Sequence, residues 1–297
     1  MPLSHSLAAL LVTAIWGLSF IVIKLGVGTM PPLLLAALRF LFAALPAVIF
    51  IARPKTDWRH VVAYGFFLGV AQFGLLFAAL GLGMPASLAS VVMQAQVFFT
   101  ILFAAFLMGE RPGPHQVIGG LVASFGLVLI AWPRMTGGGA VPFLMTVVAA
   151  ASWGVANIVS KKAGRVDMLG FIVWSSLVAP LPLLGLSLAF DGSDAIGDAL
   201  RGIDPGGIAA LVYIVGPSTL FGFGAWTGLL RRYPAATVAP FTLLVPVFGI
   251  AAAALALGER PSAAELVGAV VVIAGLLYGL RPQSQRAYGK VAPARAS

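Results

Sequence analysis

Cysteine is absent from the 297 residues, and only 9% of them are charged. The first absence excludes disulfides, thiolate metal sites and a cysteine nucleophile. The second excludes an ordinary soluble domain, where about a quarter of residues are charged. Acidic side chains are scarce: nine Asp and Glu stand against eighteen Lys and Arg, with three His. The resulting formal charge of +9 invites a nucleic-acid partner, but the distribution of the basic residues assigns them elsewhere.

Apolar residues are abundant: 60% of the chain is hydrophobic and the mean hydropathy is +1.04. Crossing a bilayer takes about 20 apolar residues. Ten such runs occur, at roughly 6–26, 31–52, 60–81, 85–108, 114–132, 141–161, 167–190, 207–230, 234–257 and 262–280. In lipid the backbone is satisfied only by helices or closed barrels, and nothing alternates with the period of a barrel strand. The first run has no Lys or Arg before it and no cleavage site after it, so it reads as a span and not as a signal peptide.

The chain is one unit written twice. Residues 85–112, from Pro-Ala-Ser-Leu to Gly109-Glu110-Arg111-Pro112, align without a gap on residues 234–261, which end Gly258-Glu259-Arg260-Pro261. The offset of 149 also pairs Tyr64 with Tyr213, Gly119 with Gly268 and Gly126 with Gly275. Near the start of each half the offset is 137, pairing Trp16-Gly17 and Lys24 with Trp153-Gly154 and Lys161.

Five helices per copy is an odd number, so the copies lie inverted in the membrane. With the N-terminus inside, thirteen Lys and Arg fall inside (Arg53, Lys55, Arg59, Arg111, Lys161, Lys162, Arg165, Arg231, Arg232, Arg281, Arg286, Lys290, Arg295) and three outside (Arg134, Arg201, Arg260). That asymmetry follows the positive-inside rule, so the basic excess reports orientation and nucleic acid is not expected. The fold expected is an all-α membrane protein of ten transmembrane helices forming two inverted five-helix repeats, at 1–136 and 137–282, with a disordered cytoplasmic tail at 283–297.

The acidic residues are soon placed. Asp57, Glu110 and Asp167 fall in inner connections, while Asp191, Asp194, Asp198, Asp204 and Glu259 fall in outer ones. Ser262 and Glu265 have the spacing of a capping box. His5, His60 and His115 sit at inner ends. No nucleophile and base meet at depth, so no catalytic residue, metal or cofactor is expected. A channel would need polar rings along a pore, and none is legible.

Within the apolar runs a few groups need partners. Gln72, Gln94, Gln96 and Asn157 carry amides that hydrocarbon cannot satisfy. Arg39 is an intramembrane cation, either functional or bonded to carbonyls freed near Pro46. Lys24 either snorkels to the outer interface or contacts a substrate. Gly and Pro concentrate in helices three, four, eight and nine, and Pro180 and Pro182 should kink helix seven. Gly137-Gly138-Gly139 forms a flexible outer joint between the halves, and 191–206 an acidic solvated loop. Inverted repeats and broken helices are recurring parts of secondary carriers.

On these residues the chain resembles the drug/metabolite transporter superfamily, in its EamA family. Trp16-Gly17, Lys24, Arg39-Phe40, the doubled Gly-Glu-Arg and the glycine stripes of helices five and ten carry the resemblance, over about residues 7–280. Met30-Pro31-Pro32 and the run Gly83-Met84-Pro85-Ala86 through Gln94-Ala95-Gln96 are most like the family's bacterial exporters of O-acetylserine and cysteine. Its aromatic amino acid exporters share the architecture. The resemblance implies both termini in the cytoplasm, a bacterial inner-membrane location and a central cavity bounded by helices one, three, four, six, eight and nine.

A polyanionic substrate would want several cations at depth, whereas an amphipathic zwitterion suits scattered amides and aromatics. The expected substrate is therefore an amino acid, met by Trp16, Gln72, Phe73, Gln94, Gln96, Asn157, Tyr213 and Trp226, with Arg39 and Lys24 as charged contacts. Uncharged drugs are the alternative cargo. A membrane scaffold is the alternative outside transport, and it would leave Gln94, Gln96 and Asn157 replaceable by Leu. Without an Asp, Glu or His at depth, export down the substrate's own gradient is expected, by a monomer in the bilayer.

Overall fold

The structure is a computed structural model and describes residues 1–136, 139–164, 166–233 and 238–279. Every element in it is helical. Among the described residues eight helices are long and apolar enough to cross a membrane: α1 Leu3–Gly26, α2 Pro32–Phe50, α3 Trp58–Gly81, α4 Ala86–Met108, α5 Pro114–Pro133, α6 Ala140–Lys162, α7 Met168–Phe190 and α8 Pro205–Leu229. Two shorter apolar helices follow, α9 Phe241–Leu257 and α10 Ala263–Gly279. Large apolar side chains such as Phe50 and Leu255 point outward, 85% and 88% exposed, as a lipid-facing surface requires.

Several charges expected in loops define the helix ends. Asp57, Asp167 and Asp204 accept from Arg59 N at 2.9 Å, Gly170 N at 2.9 Å and Gly207 N at 2.7 Å, satisfying donors that the first turns of α3, α7 and α8 leave open. Ser262 and Glu265 exchange bonds at the start of α10. Gly109 and Gly258, repeat partners, close α4 and α9 at φ of 68° and 63°, the left-handed geometry in which a Cβ is penalised.

The expected acidic loop is instead largely a helix, Gly192–Arg201, with Ile196 buried beneath it. Asp194 in its first turn and Arg201 in its last complement the helix dipole, which explains the ordered turn. Helix α7 breaks between Ser176 and Pro180, because a proline removes a donor and clashes with the preceding turn. Gly137, Gly138, Arg165, the start of the second repeat motif at 234–237 and the tail from 280 lie outside the described residues.

Two longer irregularities recur at the repeat spacing. Gly65–Phe73 in α3 and Ile214–Phe221 in α8 are wound with i→i+5 hydrogen bonds. In the second, Thr219 Oγ1 donates back to Ile214 O at 2.7 Å. A tight turn, Met93–Ala95, interrupts α4, and another, Ala239–Leu243, includes the first residues of α9.

Packing between the halves is reciprocal. A Cβ on Gly119 of α5 would stand 2.5 Å from Gly275 O of α10, and one on Gly275 would stand 2.7 Å from Gly119 O. Gly126 and Gly268 repeat the relation, each 2.8 Å from the other's carbonyl oxygen. Exchanging the halves turns one pair into the other, as an isologous contact requires, and only glycine lets two helices approach this closely. Likewise Gly17 of α1 meets Phe248 of α9, while Gly154 of α6 meets Phe99 of α4, with prospective Cβ distances of 2.6 and 2.8 Å. Residues 99 and 248 differ by the repeat offset of 149.

Candidate functional site

With α5 and α10 packed on each other, the other eight helices surround a cavity of about 300 Å³, within the roughly 300–1,000 Å³ of small-molecule sites. Helices α2 and α7 join the six expected from the resemblance, bringing Arg39, Met168 and Ile172 to the wall.

One wall is aromatic. Trp16 packs against Phe223 and Trp226, with ring centroids 5.4 and 5.3 Å apart. The irregular winding of α8 sets this wall: Trp16 Nε1 donates to Ser218 O at 3.0 Å, and Ser19 Oγ to Ser218 Oγ at 2.9 Å. Gly222, closing that stretch, leaves room for the indole, since a Cβ there would meet Trp16 Nε1 at 2.6 Å.

The amides of α4 diverge. Gln94 Nε2 donates to Thr242 O at 3.0 Å, tying α4 to the tight first turn of α9. Gln96 Oε1 accepts from Asn157 Nδ2 at 2.8 Å, and the same nitrogen lies 3.0 Å from Thr100 Oγ1, tying α4 to α6. Both glutamines border the cavity. So does Gln72, 1% exposed, whose Oε1 is enclosed without a donor.

Arg39 is 2% exposed. Its guanidinium carbon lies 3.7 Å from the Phe73 ring centroid, with Phe40 at 5.4 Å and Phe77 at 6.0 Å. Aromatic rings, and not carbonyls near Pro46, are therefore its neighbours. Its Nε is enclosed without an acceptor. A desolvated cation–π contact supplies about 2 kcal/mol, against several kcal/mol for burying an ion. Among the described residues no carboxylate borders the cavity to make up the difference.

Of the residues singled out in the sequence, Trp16, Arg39, Gln72, Phe73, Gln94, Gln96, Asn157 and Trp226 border the cavity. Lys24 and Tyr213 do not: Lys24 Nζ donates to Leu80 O at 2.7 Å and Met84 O at 3.2 Å, and Tyr213 OH donates to Ile15 O at 2.9 Å. Both hold helices together. Tyr64 and Trp153 border the cavity without having been singled out. The repeat carried the signal for both, since Trp153 aligns with Trp16 and Tyr64 with Tyr213. Ser218, Thr227 and Thr242 also border it, and no sequence pattern marks them.

Away from the residues that line the cavity, Glu259 bridges the halves. Its Oε1 accepts from Ala86 N at 2.8 Å, and its Oε2 accepts from Ser87 N at 2.9 Å and Ser87 Oγ at 2.5 Å. A carboxylate on the first turn of α4 satisfies open donors and faces the positive end of the helix dipole. The repeat partner Glu110 pairs instead with Lys161 of α6, and both side chains are about half exposed.

Helices able to cross a membrane, enclosing a cavity of amides, aromatics and one cation, define a polytopic membrane protein with a small-molecule site. The chain belongs to the EamA-like transporter family, whose sequence profile matches residues 3–132 and 141–280. It is 43% identical over 282 residues to a probable amino-acid metabolite efflux pump of Escherichia coli (strain K12), an alignment covering 92% of this chain and 94% of that protein. It is 29% identical over 268 residues to the aromatic amino acid exporter YddG of Ancylobacter novellus, covering 84% and 87%. A solved crystal structure shares the fold, with a TM-score of 0.63 at 22% identity over 93% of this chain and 95% of that one.

Proposed function

We propose that this protein exports amino acids across a bacterial inner membrane, moving them through the central cavity by alternating access. The observation that carries this is a central cavity of small-molecule size in a chain alignable over 92% of its length with an amino-acid metabolite efflux pump. The substrate class is neutral: aromatic, hydrophobic, or of the cysteine and O-acetylserine type. The aromatic wall would take an apolar side chain, while Gln72, Gln94, Gln96 and Asn157 would take polar groups.

The architecture proposed is ten transmembrane helices in two inverted repeats, at 1–136 and 137–282, acting as a monomer with both termini cytoplasmic. The reciprocal glycine contacts, the matched i→i+5 stretches of α3 and α8 and the excess of Lys and Arg on one side support it. Regions of altered winding in α3, α4, α8 and α9 would be the points that bend. Transport would run down the substrate's gradient, since among the described residues no Asp, Glu or His borders the cavity.

The test is flux of radiolabelled L-phenylalanine, L-tryptophan, L-leucine and L-cysteine in proteoliposomes, with the electrical potential clamped and a pH gradient present or absent. Protein-dependent flux of at least one, indifferent to the pH gradient, is expected. No flux of any of them would remove the amino-acid reading. Accumulation that collapses with the pH gradient would replace facilitated export by proton coupling.

A further inference from the structure

We propose that Arg39 is the receptor for a carboxylate: the ligand of the central cavity is held by a free carboxyl group on this guanidinium. The inference rests on the cavity being the transport site and adds to it the ligand group that the site requires.

Arg39 is the one ionised side chain bordering the cavity among the described residues. It is almost wholly buried, and no described residue offers it a hydrogen-bonding or charged acceptor. Other described cations differ: Lys24 donates to two carbonyls, Lys161 meets Glu110, and Arg201 meets Asp198. A buried cation is ordinarily paired, and here the missing partner is a ligand's to supply.

Geometry selects the kind of anion. Phe73 covers one face of the guanidinium at 3.7 Å, which leaves its edge for an acceptor. With Nε enclosed, the two terminal nitrogens are the donors left to the cavity. Their parallel N–H groups match a planar, singly charged carboxylate in a bidentate bond. A phosphate dianion would bring a second charge that no other lining residue answers.

Binding is measured first, independently of transport. Purified protein in detergent is titrated with 3-phenylpropionate and with its uncharged isostere 3-phenylpropionamide, following thermal stability. The carboxylate should bind about tenfold tighter or more, as expected for a charge-assisted bond to a buried guanidinium. Arg39→Gln should abolish that preference, and Arg39→Lys, which keeps the charge without the fork, should weaken it. Equal affinity for the two compounds, no binding of the carboxylate, or an undiminished preference in Arg39→Gln would each overturn the proposal. Should Arg39→Gln not fold, the wild-type comparison and Arg39→Lys decide. Competition by L-phenylalanine and L-phenylalaninamide against amino-acid flux gives the second arm. A carboxylate preference without amino-acid flux would fail the export reading and leave the receptor standing. Flux inhibited equally by both compounds would do the reverse.

Discussion

Asn157 and Gln96 place two amides where hydrocarbon offers neither a partner, and Asn157 Nδ2 donates to Gln96 Oε1 across α4 and α6. Truncating Asn157 leaves Gln96 Oε1 without its donor, and truncating Gln96 leaves Asn157 with only the Thr100 hydroxyl, at a penalty of about 1–3 kcal/mol for a group left unsatisfied. Removing both leaves none. Gln96→Leu and Asn157→Leu should therefore each lower thermal stability in detergent, and the double variant should lose less than the sum. Strict additivity would show that the 2.8 Å bond does not couple the two helices. Gln94 serves a different neighbour, Thr242 O, so Gln94→Leu should add independently to either change. The sequence already indicated that these amides needed protein or water; it could not indicate which helix would answer, since the partners lie 61 and 148 residues away.

Helices α5 and α10 meet through backbone contact at their glycines. A Cβ at Gly119 would lie 2.5 Å from Gly275 O and 2.8 Å from Gly279 Cα. Gly119→Val must therefore push α5 from α10, and overpacking of this kind costs typically 1–3 kcal/mol. Reduced thermal stability, with Gly120→Ala nearly neutral beside it, is the expected outcome; Gly120 faces only Phe98 Cδ1 at 3.4 Å. The Glu259 bridge to α4 is a different kind of joint, made of charge and open helix donors, and such caps contribute about 0.5–2 kcal/mol. Glu259→Gln should therefore lower thermal stability in detergent by an amount in that range. An unchanged unfolding midpoint would show that the bridge to Ala86 and Ser87 contributes nothing to the joint.

Orientation belongs to the whole molecule. Because the chain has no cysteine, single replacements report without background. Asp194 and Lys55 are both exposed, and the inverted arrangement sets them on opposite sides of the membrane. Asp194→Cys should react with an impermeant maleimide in intact cells, and Lys55→Cys only after permeabilisation. The reverse pattern would overturn the proposed orientation.

Sequence alone determined the class and the periodicity. Apolar runs of membrane length leave no other kind of protein, and a motif repeated 149 residues on carries its terminating glycines with it. Those signals are local, set by composition and by the backbone needs of single positions. The cavity wall was decided by tertiary structure. Arg39 had two local explanations until Phe73, 34 residues later, was found 3.7 Å from its guanidinium. Tyr213 and Tyr64 align in the repeat, yet one bonds α1 and the other borders the cavity. Glu259 reads as a loop charge until α4 is brought beneath it. In each case the side chain's role depends on which distant helix packs beside it, and no local pattern names that helix.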